Sequence, residues 1–114
     1  MIDAGAPDVA AVNARLAELV RKFVARTLGE VEQMRAALAA GHGEDNGAGL
    51  TLIHQLAHRT CGTGGTLGLL ALADAAGALE QLVEACPADT NPSATTRAQI
   101  AAGIDRLAAQ LALI

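Results

Sequence analysis

The chain has 114 residues, a common size for one domain, and at that length a chain buries roughly two thirds of its unfolded surface around a single core. Apolar residues make up 52 % of it, but Phe23 is the sole aromatic, so the core must be built from Leu, Ile, Val and Ala, and the lack of β-branched and aromatic clusters argues against sheets. A net charge of −4, with no Lys/Arg cluster and no stacking platform, argues against nucleic acid as a partner, and no apolar run approaches the length of a membrane span.

From Val9 the apolar residues run Val9, Val12, Leu16, Leu19, Phe23, the three-and-four spacing of an amphipathic helix, with Asp8 as its cap. The pattern continues through Val24, Leu28, Val31 and Leu38. Thr27 and Glu30 have the spacing of a capping box, which predicts a break there: a short first helix, then a longer one ending at Gly41. Residues 41–47, which include His42, read as a loop. A third helix is expected from about Ala48, with Ile53, Leu56, Ala57, Thr60 and Leu67 on its core stripe. A fourth carries Leu69, Leu72, Ala76, Leu79 and Val83 and stops at Cys86-Pro87. Asn91 and Pro92 supply a cap and a first-turn proline for the last helix, with Ile100, Ile104, Leu107, Leu111 and Ile114 inward. The expected fold is all-α, a single domain over 1–114: an antiparallel four-helix bundle with a short additional N-terminal helix.

The third helix holds the one unusual segment, with Gly62, Gly64, Gly65 and Gly68 close together. Each interior helical glycine costs about 1 kcal/mol relative to alanine, and an alanine-rich chain had the cheaper residue at hand. At about 100° per residue, His58 lies some 140° from the core stripe, toward water, with Gly62 and Gly65 beside it and Gly64 facing the core. An exposed imidazole on a helix cleared of side chains suits the docking of another protein's active site.

The run Ala57-His58-Arg59-Thr60-Cys61-Gly62-Thr63-Gly64-Gly65-Thr66-Leu67-Gly68 resembles the signature of histidine-containing phosphotransfer (HPt) domains: a histidine, a lysine-glycine pair three and four residues on, small residues, and a closing leucine-glycine. Leu72, Ala73, Leu79 and Glu80 fall where that family places its leucine, small residue and leucine-glutamate pair, and residues 19–23 and 34–41 resemble its second helix. Cys61 stands where the family has lysine. The resemblance implies a phosphocarrier without kinase activity, His58 being the phosphorylated nucleophile and His54, Arg59, Cys61, Gly62 and Gly65 belonging to the docking face. It implies as partners the receiver domains of response regulators and hybrid sensor histidine kinases. The carrier needs no cofactor of its own, because the receiver holds the Mg²⁺, and it is expected to be monomeric. Gly62-Thr63-Gly64-Gly65 lacks the Lys-Ser/Thr of a nucleotide-binding loop, in keeping with a carrier.

Two alternatives stand beside this reading. His54, His58 and Cys61 occur at i, i+4 and i+7, which offers a metal-binding face; Gln55 replaces the glutamate of a zinc-protease helix. A degenerate HPt domain that only docks receivers is the other. Met1-Ile2-Asp3-Ala4 has none of the regions of a signal peptide, so a cytoplasmic setting with Cys61 and Cys86 as free thiols is expected.

Overall fold

The computed structural model describes residues 8–40, 46–87 and 91–114. Among these, the chain forms helices α1 (Val9–Ala40), α2 (Asn46–Thr66), α3 (Leu70–Glu84) and α4 (Ala94–Ala112), and no strand. No described helix is long and apolar enough to cross a membrane. Of the expected loop, residues 41–45, with His42, lie outside the described residues, while Asn46 and Gly47 already belong to α2.

The short separate N-terminal helix does not form, because α1 runs unbroken for 32 residues. The two side chains that suggested a cap are engaged otherwise. The Thr27 hydroxyl donates to the Phe23 carbonyl one turn back (2.7 Å), and the Glu30 carboxylate turns to Arg26 and Arg59. Asp8 does cap α1, its Oδ1 accepting from the backbone N–H of Ala10 (3.0 Å) and Ala11 (3.3 Å). At 1.5 Å per residue α1 is about 48 Å long and α2 about 32 Å, so α1 overhangs its neighbours. Val9, Val12, Leu16 and Leu19 are consequently exposed, and the core begins at Phe23.

α4 starts later than Asn91 and Pro92 suggest. Its cap is Ser93, whose Oγ accepts from the Thr96 N–H at 3.1 Å, and the proline lies before the helix.

Each helix packs on two neighbours: α1 on α2 and α4, α3 on α2 and α4, with the diagonal pairs apart. The directions follow from the contacts. Gly49 faces Ala37 while Arg59 pairs with Glu30, so α1 and α2 are antiparallel. Arg35 meets Asp105 (3.1 Å) and Arg97 donates to the Leu38 carbonyl, which sets α4 antiparallel to α1. The bond to Asp105, then that to Glu32, raises the Arg35 pKa. Met34, Ile53, Leu72, Leu79, Ile100, Ile104 and Leu107 are almost fully enclosed at the centre, and burying a side chain of this kind contributes about 1.5–3 kcal/mol.

Two glycines separate backbone cost from packing need. A Cβ on Gly29 would meet nothing within 4 Å, so Gly29→Ala should raise stability by about 0.5–1 kcal/mol in urea unfolding. A Cβ on Gly49 would lie 2.9 Å from the Ala37 carbonyl oxygen, a backbone atom that cannot swing aside. Gly49→Val should lower stability by about 1–3 kcal/mol; equal midpoints for the two variants would contradict the α1–α2 contact.

Candidate functional site

The site is built on the α2–α3 hairpin. α2 continues through Gly62, Gly64 and Gly65 to Thr66, so the glycines do not end it early. It ends in a Schellman turn: Leu69 N–H bonds to the Gly64 carbonyl (2.8 Å) and Gly68 N–H to that of Gly65 (3.1 Å). Gly68 has φ +79°, the left-handed conformation that favours glycine. α3 begins at Leu70 and runs back along α2. Residues equally far from Leu69 on either side then face each other: Cys61 with Gly77, His58 with Glu80, His54 with Glu84. Small residues let the helices close, for a Cβ on Gly64 would touch Ala73 at 3.6–3.7 Å and one on Gly77 would touch Cys61 Sγ at 3.5 Å.

His58 projects into solvent, its side chain 73 % exposed, and its Nδ1 lies 2.6 Å from Glu80 Oε2. Glu80 is only 17 % exposed, held against the hairpin by α3. An ionised carboxylate can only accept, so the ring donates through Nδ1–H. That tautomer leaves the Nε2 lone pair without a proton, on the nitrogen away from Glu80. One turn earlier, His54 is half-buried, its Nε2 lying 2.8 Å from Glu84 Oε1 and 3.5 Å from Glu80 Oε2. The two imidazoles stack nearly parallel, 6.4 Å between centroids.

The remaining residues singled out in the sequence divide among three faces of α2. Gly62 and Gly65 are exposed and a Cβ on either would meet nothing within 4 Å, so neither packing nor backbone conformation demands glycine there. Arg59 turns to α1, where it pairs with the buried carboxylate of Glu30. Cys61 is half-buried and turned to α3. His54, His58 and Cys61 therefore do not form the metal face expected from their spacing. Among the described residues, the group with metal-ligand geometry is His54, Glu80 and Glu84. Cys61 and Cys86 are free thiols.

The sequence reading missed Glu80 and Glu84 as partners of the histidines. Their spacing carried the signal, since His54/His58 and Glu80/Glu84 are both i, i+4 pairs placed symmetrically about the Gly68 turn. Finding it required knowing that the connection is a tight hairpin.

Comparison with known proteins adds the family. The chain matches the family model for the Hpt domain over residues 18–110. No curated protein and no solved structure gives a significant match. An all-helical bundle is in keeping with this match, and the chain belongs to the Hpt domain family.

Proposed function

We propose that this chain is a phosphocarrier of a two-component phosphorelay, in which His58 takes a phosphoryl group from the aspartate of one receiver domain and gives it to another. Hpt domains are histidine phosphotransfer modules of phosphorelays, generally carriers rather than enzymes. The observation that supports His58 over His54 is its 2.6 Å bond to Glu80 combined with its exposure.

The chemistry follows from that bond. Nε2 attacks the phosphorus of an aspartyl phosphate in line with the P–O bond to the aspartate. The N–P bond forms, the P–O bond breaks, and the aspartate leaves as a carboxylate. The ring, phosphorylated on Nε2 and still protonated on Nδ1, is then cationic, and the Glu80 carboxylate opposite Nδ1 offsets that charge through a charge-assisted hydrogen bond. Return transfer reverses the step, and no proton need be exchanged with solvent. Cys61 brings no charge to the phosphoryl oxygens, so neutralising them falls to the Mg²⁺ of the receiver, and the carrier needs no cofactor of its own.

In this proposal the receivers belong to response regulators and hybrid sensor kinases, and they dock on the bare strip of α2 at Gly62 and Gly65, with His54, Arg59 and Cys61 around it. The carrier works as a monomer in the cytoplasm, a setting that suits its free thiols.

Mixing the protein with a phosphorylated receiver and Mg²⁺ should label wild type and His54→Gln but not His58→Gln, with the label lost in acid and stable in alkali. Labelling of His58→Gln to the wild-type level would refute the assignment. Glu80→Gln keeps an acceptor for Nδ1–H but removes its charge, worth about 1–1.5 kcal/mol, so transfer should slow about tenfold with the fold unchanged. An undiminished rate would remove Glu80 from the mechanism. Gly62→Leu should block transfer while far-UV circular dichroism holds and the unfolding midpoint does not fall, because open space surrounds Gly62 and leucine is the better helix former. Full activity in that folded variant would show that the strip is not the docking face.

A further inference from the structure

Beside His58 lies a constellation of which phosphoryl transfer uses only Glu80. One potential ligand atom from each of His54, Glu80 and Glu84 falls within 4.8 Å of the others. The acids are an i, i+4 pair on α3, adjacent like charges that repel on a helix. One imidazole nitrogen faces both, at 2.8 and 3.5 Å. A single N–H cannot satisfy two carboxylates, whereas a dication can. In a tetrahedral site with bonds near 2.1 Å, ligand atoms stand about 3.4 Å apart, and the observed separations bracket that value. A cleft of about 320 Å³ lined by Thr51, His54, Glu84 and Cys86, among others, opens alongside, with room for water to complete the coordination.

We propose that His54, Glu80 and Glu84 bind one divalent transition metal ion of the Zn²⁺ class, and that the ion competes with His58 for Glu80. Imidazole with carboxylates selects Zn²⁺ over Mg²⁺, which prefers an all-oxygen shell and keeps its waters. Glu80 Oε2 is the atom nearest both rings. Drawn to an ion at His54, it gives up the Nδ1–H of His58 and with it the preferred tautomer. Metal therefore slows loading of His58. The binding site stands on geometry alone; only the slowing rests on the phosphocarrier reading.

The test titrates ZnCl₂ into the full chain by isothermal calorimetry, in a Cys61→Ser/Cys86→Ser background so that thiolates do not contribute. One ion per chain should bind. His54→Gln and Glu84→Gln should each weaken binding at least about tenfold, His58→Gln should bind at least as tightly as wild type because a competitor for Glu80 is gone, and excess Mg²⁺ should not displace the ion. No binding, or full binding by Glu84→Gln, overturns the site. In the transfer assay, Zn²⁺ should slow labelling of wild type but not of Glu84→Gln, which should load at the normal rate without metal. Equal slowing of both places the ion on the receiver and overturns the competition. If no receiver labels wild type at all, the phosphocarrier reading falls, and calorimetry still decides the metal site.

Discussion

The turn at Gly68 sets the register of α2 against α3, and the site depends on that register. A left-handed residue after α2 and a bond from Leu69 to Gly64 leave α3 no freedom to slide. The small-residue contacts at Gly64/Ala73 and Cys61/Gly77 bring the helices close over the same stretch. Farther out along the hairpin this closeness brings Glu80 to His58 and Glu84 to His54. A slip by one residue would turn each carboxylate about 100° away from its imidazole. The histidine is therefore only half of the site, and the other half is a carboxylate on a different helix.

A second constraint ties α1 to this hairpin. Glu30 is buried, and a buried carboxylate is tolerable only when paired. Arg26 on its own helix and Arg59 on α2 supply the pairing. Arg59 follows His58 directly, so this ion pair also sets the rotation of α2 about its axis: with Arg59 drawn toward α1 and Cys61 toward α3, His58, Gly62 and Gly65 are left facing water. The bare strip is a consequence of what its neighbours on the helix are bound to.

Glu80 sits at the junction of two demands. It is the most enclosed member of the His/Glu cluster, and its Oε2 lies within reach of both imidazoles. One oxygen shared between a ring that could carry phosphate and a ring that could hold a metal couples the two sites without any movement of the backbone. The coupling follows from hydrogen-bond capacity, since a carboxylate oxygen drawn to a dication is a poorer acceptor for a ring N–H.

Local chemistry made much of this protein legible from its sequence. Helical periodicity identified the helical segments and most of the core positions of α2, α3 and α4, though Ile114 is exposed; Asp8 was readable as a cap, and the angle between His58 and the core stripe placed the imidazole in water with Gly62 and Gly65 beside it. The HPt-like signature pointed to the family. What failed were inferences in which a local signal had a competitor elsewhere in the fold. Thr27 and Glu30 have the spacing of a cap, but Glu30 is claimed by Arg59 across the helix interface, and α1 stays whole. Val9 to Leu19 have the period of a buried face, yet they overhang the bundle, because periodicity reports that a face is apolar and not whether a neighbour is long enough to cover it. His54, His58 and Cys61 share a spacing but not a destination, and the histidines' true partners come from α3. Periodicity and capping are properties of one segment and can be read along the chain. Which residues meet across a helix pair depends on the register set by the turn, and that is decided only when the helices pack.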